Sequence, residues 1–306
     1  MGLLGGRRAP VPLVELWRVP VRGHVSHTVR CDAGTGSVWV GDGTVAFASL
    51  ALHRLDLATG VVTADVRTRH QQARTTALAG GSLWVATDRR LLRVDPLTLE
   101  VQGTWEERLV RYTDRLLPLD DARFVMANRV APAMGVLDLA TGRTRRVTVG
   151  ANPVVAALPD GVAVARRTGE GGWRRLDVGT LRLVDERPGP RVVAMAWLDG
   201  LWAVPAGSRD GHDGTARVVR LDGDAGHRLT GRASALVADP GRGLLWAVLE
   251  DGLQAVDVRS GTVGHVHRLP SGSRVKHVAP DAGVVATTLW GEPDDDELVL
   301  YRLPVG

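Results

Sequence analysis

Basic side chains recur along this 306-residue chain at the start of successive short apolar segments. Guanidinium and ammonium groups that converge on one place bind carboxylates, phosphates and acidic peptides. The candidate ligand-binding residues of this kind are Arg30, Arg74, Arg115, Arg191, Arg232, Arg274 and Lys276. Their spacing points to an anion-binding surface, provided that the fold brings the segments to one place.

Two histidines, His27 and His277, are the candidate catalytic residues, because imidazole titrates near neutral pH and can act as a general base. Cys31 follows His27 closely and could form a Cys-His pair. A lone cysteine in an apolar strand is, however, more often a small buried side chain. No P-loop, dinucleotide fingerprint, G-x-S-x-G elbow or Cys-x-x-Cys occurs in a fitting context. The sequence therefore offers bases without a complete catalytic constellation.

Two polar segments, 205–215 and 288–296, add further candidate ligand-binding residues, His212 and Trp290. The carboxylates in these segments could bind a divalent cation or serve as general acid and base. Their spacing matches no known metal template, which favours solvated loops, and no metal ligand is assigned. No signature of PQQ, a nucleotide or an iron–sulfur cluster is present, so the cofactor is unknown, with a divalent cation possible.

A repeat organises the elements that carry these residues. Each unit has a Gly or Asp-Gly turn, a strand that often contains tryptophan, and a second strand ending in Leu-Asp or Val-Asp. Between Asp56 and Asp257, 201 residues contain five such intervals of about 40 residues each. That period, with several short strands per unit, is typical of propeller blades. We therefore predict an all-β fold, a seven-bladed β-propeller of four-stranded antiparallel blades, as a single domain over 1–306.

Closure of the ring is also predictable. The segment 12–19 has strand character but precedes the first repeat, whereas the last repeat ends without room for an outer strand. We predict that 12–19 pairs into the last blade as its fourth strand, so that no long edge is left open. Six or eight blades fit the repeat count less well. Residues 1–11 are predicted to form a flexible tail.

The recurring residues have structural interpretations. The aromatic residues at one position of the repeat, Trp39, Trp84, Phe124, Trp202 and Trp246, are predicted to pack between neighbouring sheets. The repeated aspartate is predicted to accept hydrogen bonds from backbone amides in the turn that follows it.

These units resemble the YVTN, or YncE-like, repeats of the quinoprotein-like and streptogramin-lyase-like group of seven-bladed propellers. The resemblance rests on GSVWV at 36–40, GSLWV at 81–85, and LDLATG at 55–60 and 137–142. It implies the propeller fold over essentially the whole chain. Members of the group include interaction platforms, lyases, hydrolases and quinone-dependent dehydrogenases. The dehydrogenases' vicinal disulfide and the lyases' His/Glu set have no counterpart here, so the resemblance implies no particular activity.

Composition limits the partners. The net charge is +4, from 38 basic and 34 acidic residues, a surplus too small to favour nucleic acid or an anionic membrane. No window of 18 apolar residues occurs, the N-terminus does not resemble a signal peptide, and one cysteine allows no internal disulfide. We expect a soluble, cytoplasmic monomer.

Two functions follow. In a propeller the first strand of each blade lines the axis, so the basic residues would surround an axial mouth. The first hypothesis is a non-catalytic binding protein whose mouth recognises an acidic peptide or a small anionic molecule. The alternative is a lyase, cyclase or hydrolase acting on a specialised metabolite or peptide. In that enzyme His27 or His277 would be the base, and Arg74, Arg191 or Arg274 would anchor the substrate.

Overall fold

The architecture was obtained from a computed structural model. It describes residues 11–22, 24–43, 49–69, 73–106, 113–128, 133–150, 152–167, 170–207, 217–290 and 295–304. These residues form 29 β-strands and, within the described ranges, no helix. None of the described residues therefore forms a helix that could cross a membrane.

The strands form seven sheets arranged as successive blades, which confirms the predicted seven-bladed propeller. Two strands precede the first full blade, β1 (Val11–Pro12) and β2 (Val14–Arg22). Blade one contains β3 (His24–Asp32), β4 (Ser37–Gly43), β5 (Ser49–Asp56) and β6 (Val62–Arg69). Blade two contains β7 (Ala73–Ala79), β8 (Ser82–Thr87), β9 (Leu91–Val94) and β10 (Val101–Trp105). Blade three contains β11 (Thr113–Pro118), β12 (Arg123–Asn128), β13 (Ala133–Asp138) and β14 (Thr144–Thr148).

The remaining blades repeat the same antiparallel order. Blade four contains β15 (Pro153–Leu158), β16 (Gly161–Arg166), β17 (Trp173–Leu176) and β18 (Leu183–Arg187). Blade five contains β19 (Val192–Trp197), β20 (Leu201–Pro205), β21 (Arg217–Arg220) and β22 (Gly226–Arg228). Blade six contains β23 (Ala233–Asp239), β24 (Leu244–Leu249), β25 (Gly252–Asp257) and β26 (Val263–Arg268). Blade seven contributes β27 (Ser273–Ala279), β28 (Val284–Trp290) and β29 (Asp295–Arg302).

The N-terminal strand closes the ring as predicted. β2 pairs antiparallel with β29 and becomes the fourth strand of blade seven, with Val19 opposite Leu298. The strand runs from 14 to 22, two to three residues later than the predicted 12–19. Val11 and Pro12 pair instead in parallel with the outer strand of blade six. Of the tail predicted over 1–11, residues 1–10 lie outside the described residues.

The recurring aromatic residues fill the spaces between blades, as predicted. Trp39, Trp84, Phe124, Trp202 and Trp246 are among the largest side chains with almost no solvent exposure. Trp84 of blade two packs against Phe124 of blade three, with ring centroids 4.9 Å apart. Trp246 of blade six packs with Val285 and Val299 of blade seven. Most of the core therefore lies between sheets and ties each blade to its neighbour.

Five of the six recurring aspartates, Asp56, Asp95, Asp138, Asp177 and Asp257, accept hydrogen bonds from amides of the turn between the third and fourth strands, as predicted. Asp222 accepts instead from the amide of Leu201 and from the side chain of Arg220. Oδ1 of Asp56 accepts hydrogen bonds from the hydroxyl and the amide of Thr59, at 2.8 and 2.9 Å, and from the amide of Ala58. These bonds, the Thr59 hydroxyl foremost, hold the pKa of Asp56 below its usual value. Gly60 then has a φ of 72°, whereas Leu99 has 63° at the equivalent position of blade two. The Leu99 side chain is fully buried beside Trp39, and this packing offsets the unfavourable backbone conformation.

Candidate functional site

The first strand of each blade lies at the centre of the ring. Successive inner strands contact one another from β27 through β3, β7, β11, β15 and β19 to β23. All seven begin at the same end of the ring, because every blade has the same strand order. We call that end the mouth and the space between the inner strands the axial channel.

One position of the inner strand lies at the same level in every blade. It pairs with the second-strand residue that faces the next blade, and the seven residues there are Arg30, Ala77, Leu117, Ala156, Ala196, Val237 and His277. Five of these seven are small or apolar. The two polar residues, Arg30 and His277, come from blades one and seven, which are neighbours. This level of the channel is therefore polar on one side, where the ring closes.

His277 is joined to blade one by a hydrogen bond. The backbone N–H of Cys31 donates to Nδ1 of His277 at 3.0 Å. Burial, with a smaller contribution from the charge of Arg30, lowers the pKa of His277 to about 3. The imidazole is consequently neutral near pH 7, carries its hydrogen on Nε2 and is a hydrogen-bond donor there. Such a weakly basic group is poorly suited to the general-base role suggested by the sequence.

Cys31 is a buried side chain, 2% exposed. Burial raises the pKa of its thiol to about 12. Its hydrogen bond to His277 is made by the backbone amide and not by the thiol. This bond therefore does not form the Cys-His pair suggested by the sequence. The buried, apolar interpretation of Cys31 fits this environment.

Cys31 is therefore expected to resist alkylation in the folded protein. Iodoacetamide at pH 8 should label it more than about 100-fold more slowly than in 6 M guanidinium chloride, because the thiolate is both scarce and inaccessible. Mass spectrometry of timed samples measures the two rates. Rates within a few-fold of each other would show that the thiol is accessible and ionised in the native ring.

Two cavities open onto the axial channel. The first, of about 410 Å³, lies between the inner strands of blades six and seven and is lined by Ala235, Val237 and residues 275–281. The second, of about 280 Å³, lies towards blades one to four and is lined by Thr75, Thr76 and Arg115 among others. Both cavities are also lined by Arg30, Lys276 and His277. The structure thus brings four predicted site residues together, since Arg115 joins these three.

Arg30 occupies an unusual environment for a cation. It is largely buried, and its Nε has no hydrogen-bond partner among the described residues. Burial lowers its pKa, while the charges of Asp281 and Asp32 oppose that effect less strongly. Lys276 also has a lowered pKa, mainly because of burial, although Asp296 counteracts it.

Other predicted residues lie nearer the mouth. Arg74 forms an ion pair with Asp88 of its own blade, with Nε 2.5 Å from Oδ1. Arg191 and Arg232 immediately precede β19 and β23, and Arg274 is the second residue of β27. Arg232 and Arg274 are exposed, Arg191 is half-buried, and none of these three lines either cavity.

Three predicted residues cannot be placed as side chains. His212 lies outside the described residues, as do the side chains of His27 and Trp290, although the backbones of the latter two belong to β3 and β28. Their suggested roles stay predictions. Within the described ranges no group of three or more His, Cys, Asp or Glu side chains could hold a metal ion. Of the two polar loops proposed for a cation, 205–215 and 288–296, residues 208–215 and 291–294 lie outside those ranges.

That Arg30 and His277 share one level of the channel was not predicted from the sequence. Aligning the repeats on the turn glycine before the second strand, Gly36 in blade one and Gly283 in blade seven, would have shown this. Trp39 and Ala286 each lie three residues after that glycine, and they pair with Arg30 and His277. Bulges in the inner strands obscure the alignment. In β27 the register shifts between Val275 and His277, which makes Lys276 the extra residue.

Comparison with known proteins shows the fold alone. No family model matches the chain, and no curated protein matches it. Among solved structures it is similar to the WD40 domain of Pan2 from Neurospora crassa, with a TM-score of 0.68 and 12% identity over 97% of this chain and 98% of that one. The WD40 domain of coronin from Toxoplasma gondii gives a TM-score of 0.65 at 11% identity, and the match covers 97% of this chain and 89% of that one. The computationally designed Ika8 protein gives a TM-score of 0.60 at 13% identity, and the match covers 90% of this chain and 84% of that one. The chain thus shares its fold with WD40 domains, and the YVTN-like resemblance stays a prediction.

Proposed function

We propose that this protein is a non-catalytic binding protein that receives an acidic peptide segment of a partner protein at the axial mouth. A closed ring of seven blades is a rigid scaffold, and the loops and strand ends of such scaffolds commonly carry binding sites. We also propose that it acts as a cytoplasmic monomer. Its relation to YVTN-like propellers is part of the same proposal.

The observation that carries this proposal is an arc of cations at the mouth. Arg191, Arg232 and Arg274 stand at the beginning of the inner strands of three consecutive blades. Two of them are exposed, so carboxylates could reach them without displacing core residues. Guanidinium groups suit carboxylates because they donate several parallel hydrogen bonds. Such an arc would also attract an acidic partner over some distance and speed its association.

No observation favours the enzyme hypothesis over this one. Two of the described groups suggested for proton transfer or nucleophilic attack, His277 and Cys31, have pKa values of about 3 and about 12. Near pH 7 the imidazole is already deprotonated but weakly basic, and the thiol is protonated.

Replacing both Arg191 and Arg274 with alanine should weaken binding of an acidic peptide. The probe is a fluorescein-labelled hexaglutamate peptide, titrated by fluorescence anisotropy in 50 mM salt. We expect Kd to rise about tenfold, since two exposed ion pairs together contribute on the order of 1.4 kcal/mol. The melting temperature should change little, because neither side chain belongs to the buried core.

The matched control removes two arginines from the opposite end of the ring. Arg182 and Arg259 lie in or just after turns between third and fourth strands, at the end away from the mouth. Their double alanine variant has the same net charge as the first and should change Kd less than twofold. An equal loss of affinity in both double variants would show that net charge drives binding. Unchanged affinity in the variant that lacks Arg191 and Arg274 would show that the peptide does not bind at the mouth.

A further inference from the structure

We infer that the axial channel contains a separate interior site for a small oxyanion, a carboxylate or a phosphate group, held by Arg30 with Lys276 and His277. This site lies deeper than the mouth. His277 is three residues further along β27 than the exposed Arg274, roughly 10 Å at the rise of a strand. Arg30 shares the level of His277.

The first step in the argument is the state of Arg30. A guanidinium group placed largely out of water loses hydration, and this cost is normally offset by an ion pair and by hydrogen bonds to its N–H groups. At Arg30 the Nε–H has no such bond among the described residues. The charges of Asp281 and Asp32 raise the pKa of Arg30, but this effect is smaller than the lowering caused by burial. An anion beside Arg30 would provide the missing partner.

The second step is the space available. Arg30 lines both channel cavities, of about 410 and 280 Å³. Cavities of a few hundred cubic ångströms accommodate small ligands. The remaining lining of the first cavity is largely apolar but includes Asp281, whereas that of the second also includes Thr75, Thr76 and a further cation, Arg115. A small oxyanion therefore fits the volume, whereas an extended peptide belongs at the mouth.

The third step is the set of donors. Lys276 and His277 line the same two cavities as Arg30. Because Nδ1 of His277 accepts a hydrogen bond from the Cys31 amide, its Nε2 carries a hydrogen and donates. Charged groups that act on the three residues are Asp32 and Asp281 at Arg30, Asp296 and Arg274 at Lys276, and Arg30 itself at His277. Two cations and a neutral donor around one space are complementary to an oxyanion.

The ring's construction explains why this site would be unique. At the level of Arg30 and His277, five blades present small or apolar residues, three of them alanines. The same position thus forms the polar site in blades one and seven and an apolar wall elsewhere. An anion bound there would be oriented towards one side of the channel.

The test measures stabilisation of the folded protein by anions. Differential scanning calorimetry is run with sodium phosphate and, separately, with sodium succinate, each balanced with sodium chloride to constant ionic strength. At about 100 times Kd, one bound anion should raise the melting temperature by about 3–6 °C. A rise with phosphate alone assigns the site to phosphate groups, and one with succinate alone assigns it to carboxylates. No rise with either probe overturns the proposal.

The decisive variant is R30M, which removes the charge and keeps an unbranched side chain. Without anion it should melt at the same temperature as the original protein or higher, since an uncompensated buried charge is removed. The anion-dependent rise should disappear. The exposed control R259M should keep it. A rise retained in R30M, or lost equally in R259M, contradicts the interior site.

A second variant covers the case in which R30M does not fold. R30K keeps the charge but loses the paired donors of the guanidinium group, so its apparent Kd for the anion should rise at least fivefold. An unchanged Kd overturns the proposal. The assay uses no peptide and no mouth residue, so its outcome is independent of the proposed peptide binding.

Discussion

Replacing Trp17 with alanine is expected to lower the free energy of unfolding by about 3–5 kcal/mol. Trp17 is the buried anchor of the closing strand β2, with 9% of its surface exposed. It packs in one cluster with Leu55 of blade one and Leu298 of blade seven. Its Nε1–H also donates to the carbonyl oxygen of Leu57 at 2.9 Å. Truncation therefore creates a cavity and removes a hydrogen bond where blades seven and one meet. Urea denaturation followed by circular dichroism measures the change.

Val14 provides the control on the same strand. It is 59% exposed, so the V14A variant should change stability by no more than about 0.5 kcal/mol. Backbone pairing between β2 and β29 is retained in both variants, and the difference between them reports the packing of Trp17. Similar losses in the two variants, or no loss in W17A, would contradict the view that this indole fastens the ring.

The propeller was predictable because its signals are local and repeated. The turns after Asp56 and four of its equivalents depend on hydrogen bonds within a few residues, so this chemistry is visible in a single repeat. Seven repetitions then fix the architecture. Closure was predictable for a different reason, since the last repeat lacks a strand and the chain offers one spare strand at its beginning. The parallel pairing of Val11 and Pro12 with blade six was not predictable, because two residues carry no periodic pattern.

The site was predictable in part. The sequence placed basic residues at the beginnings of inner strands, and the strand bounds agree for Arg191, Arg232 and Arg274. It could not show that Arg74 pairs with Asp88, because that contact depends on the bulge between Ala73 and Thr75. Nor could it show how deeply Arg30 is buried. Burial at the channel depends on the inner strands of several blades together, which no single repeat encodes.

The boundary between blades seven and one combines closure with the polar site. Trp17 and Leu298 lie in the same buried cluster as Cys31. The amide of Cys31 in turn holds His277, which lines both channel cavities. Packing at the closing strand and the position of the interior donors are thus connected through one residue. A loosened closure in W17A would be expected to weaken anion binding as well as stability.

Replacing Trp84 with alanine should produce the other large loss of stability, about 3–5 kcal/mol. Trp84 is 2% exposed and touches two aromatic rings, with centroids 5.0 Å from Trp105 and 4.9 Å from Phe124. Its Nε1–H donates to the carbonyl oxygen of Ala79 at 3.1 Å. The conservative variant W84F keeps most of the packing but removes that bond, and should cost about 1–2 kcal/mol. Urea denaturation of both variants separates packing from hydrogen bonding.

A double-mutant cycle tests whether Trp84 stabilises the ring between blades or within its own blade. W84A, F124A and the double variant are compared by urea denaturation. The control is L97A in blade two; Leu97 is 50% exposed, so this variant should change stability by no more than about 0.5 kcal/mol. An edge-to-face pair across two blades should give a coupling energy of about 0.5–1.5 kcal/mol. Additive losses would mean that the two rings are buried independently. In that case the core between blades would stabilise the ring through buried area alone, and a single inter-blade aromatic contact would carry no specific energy.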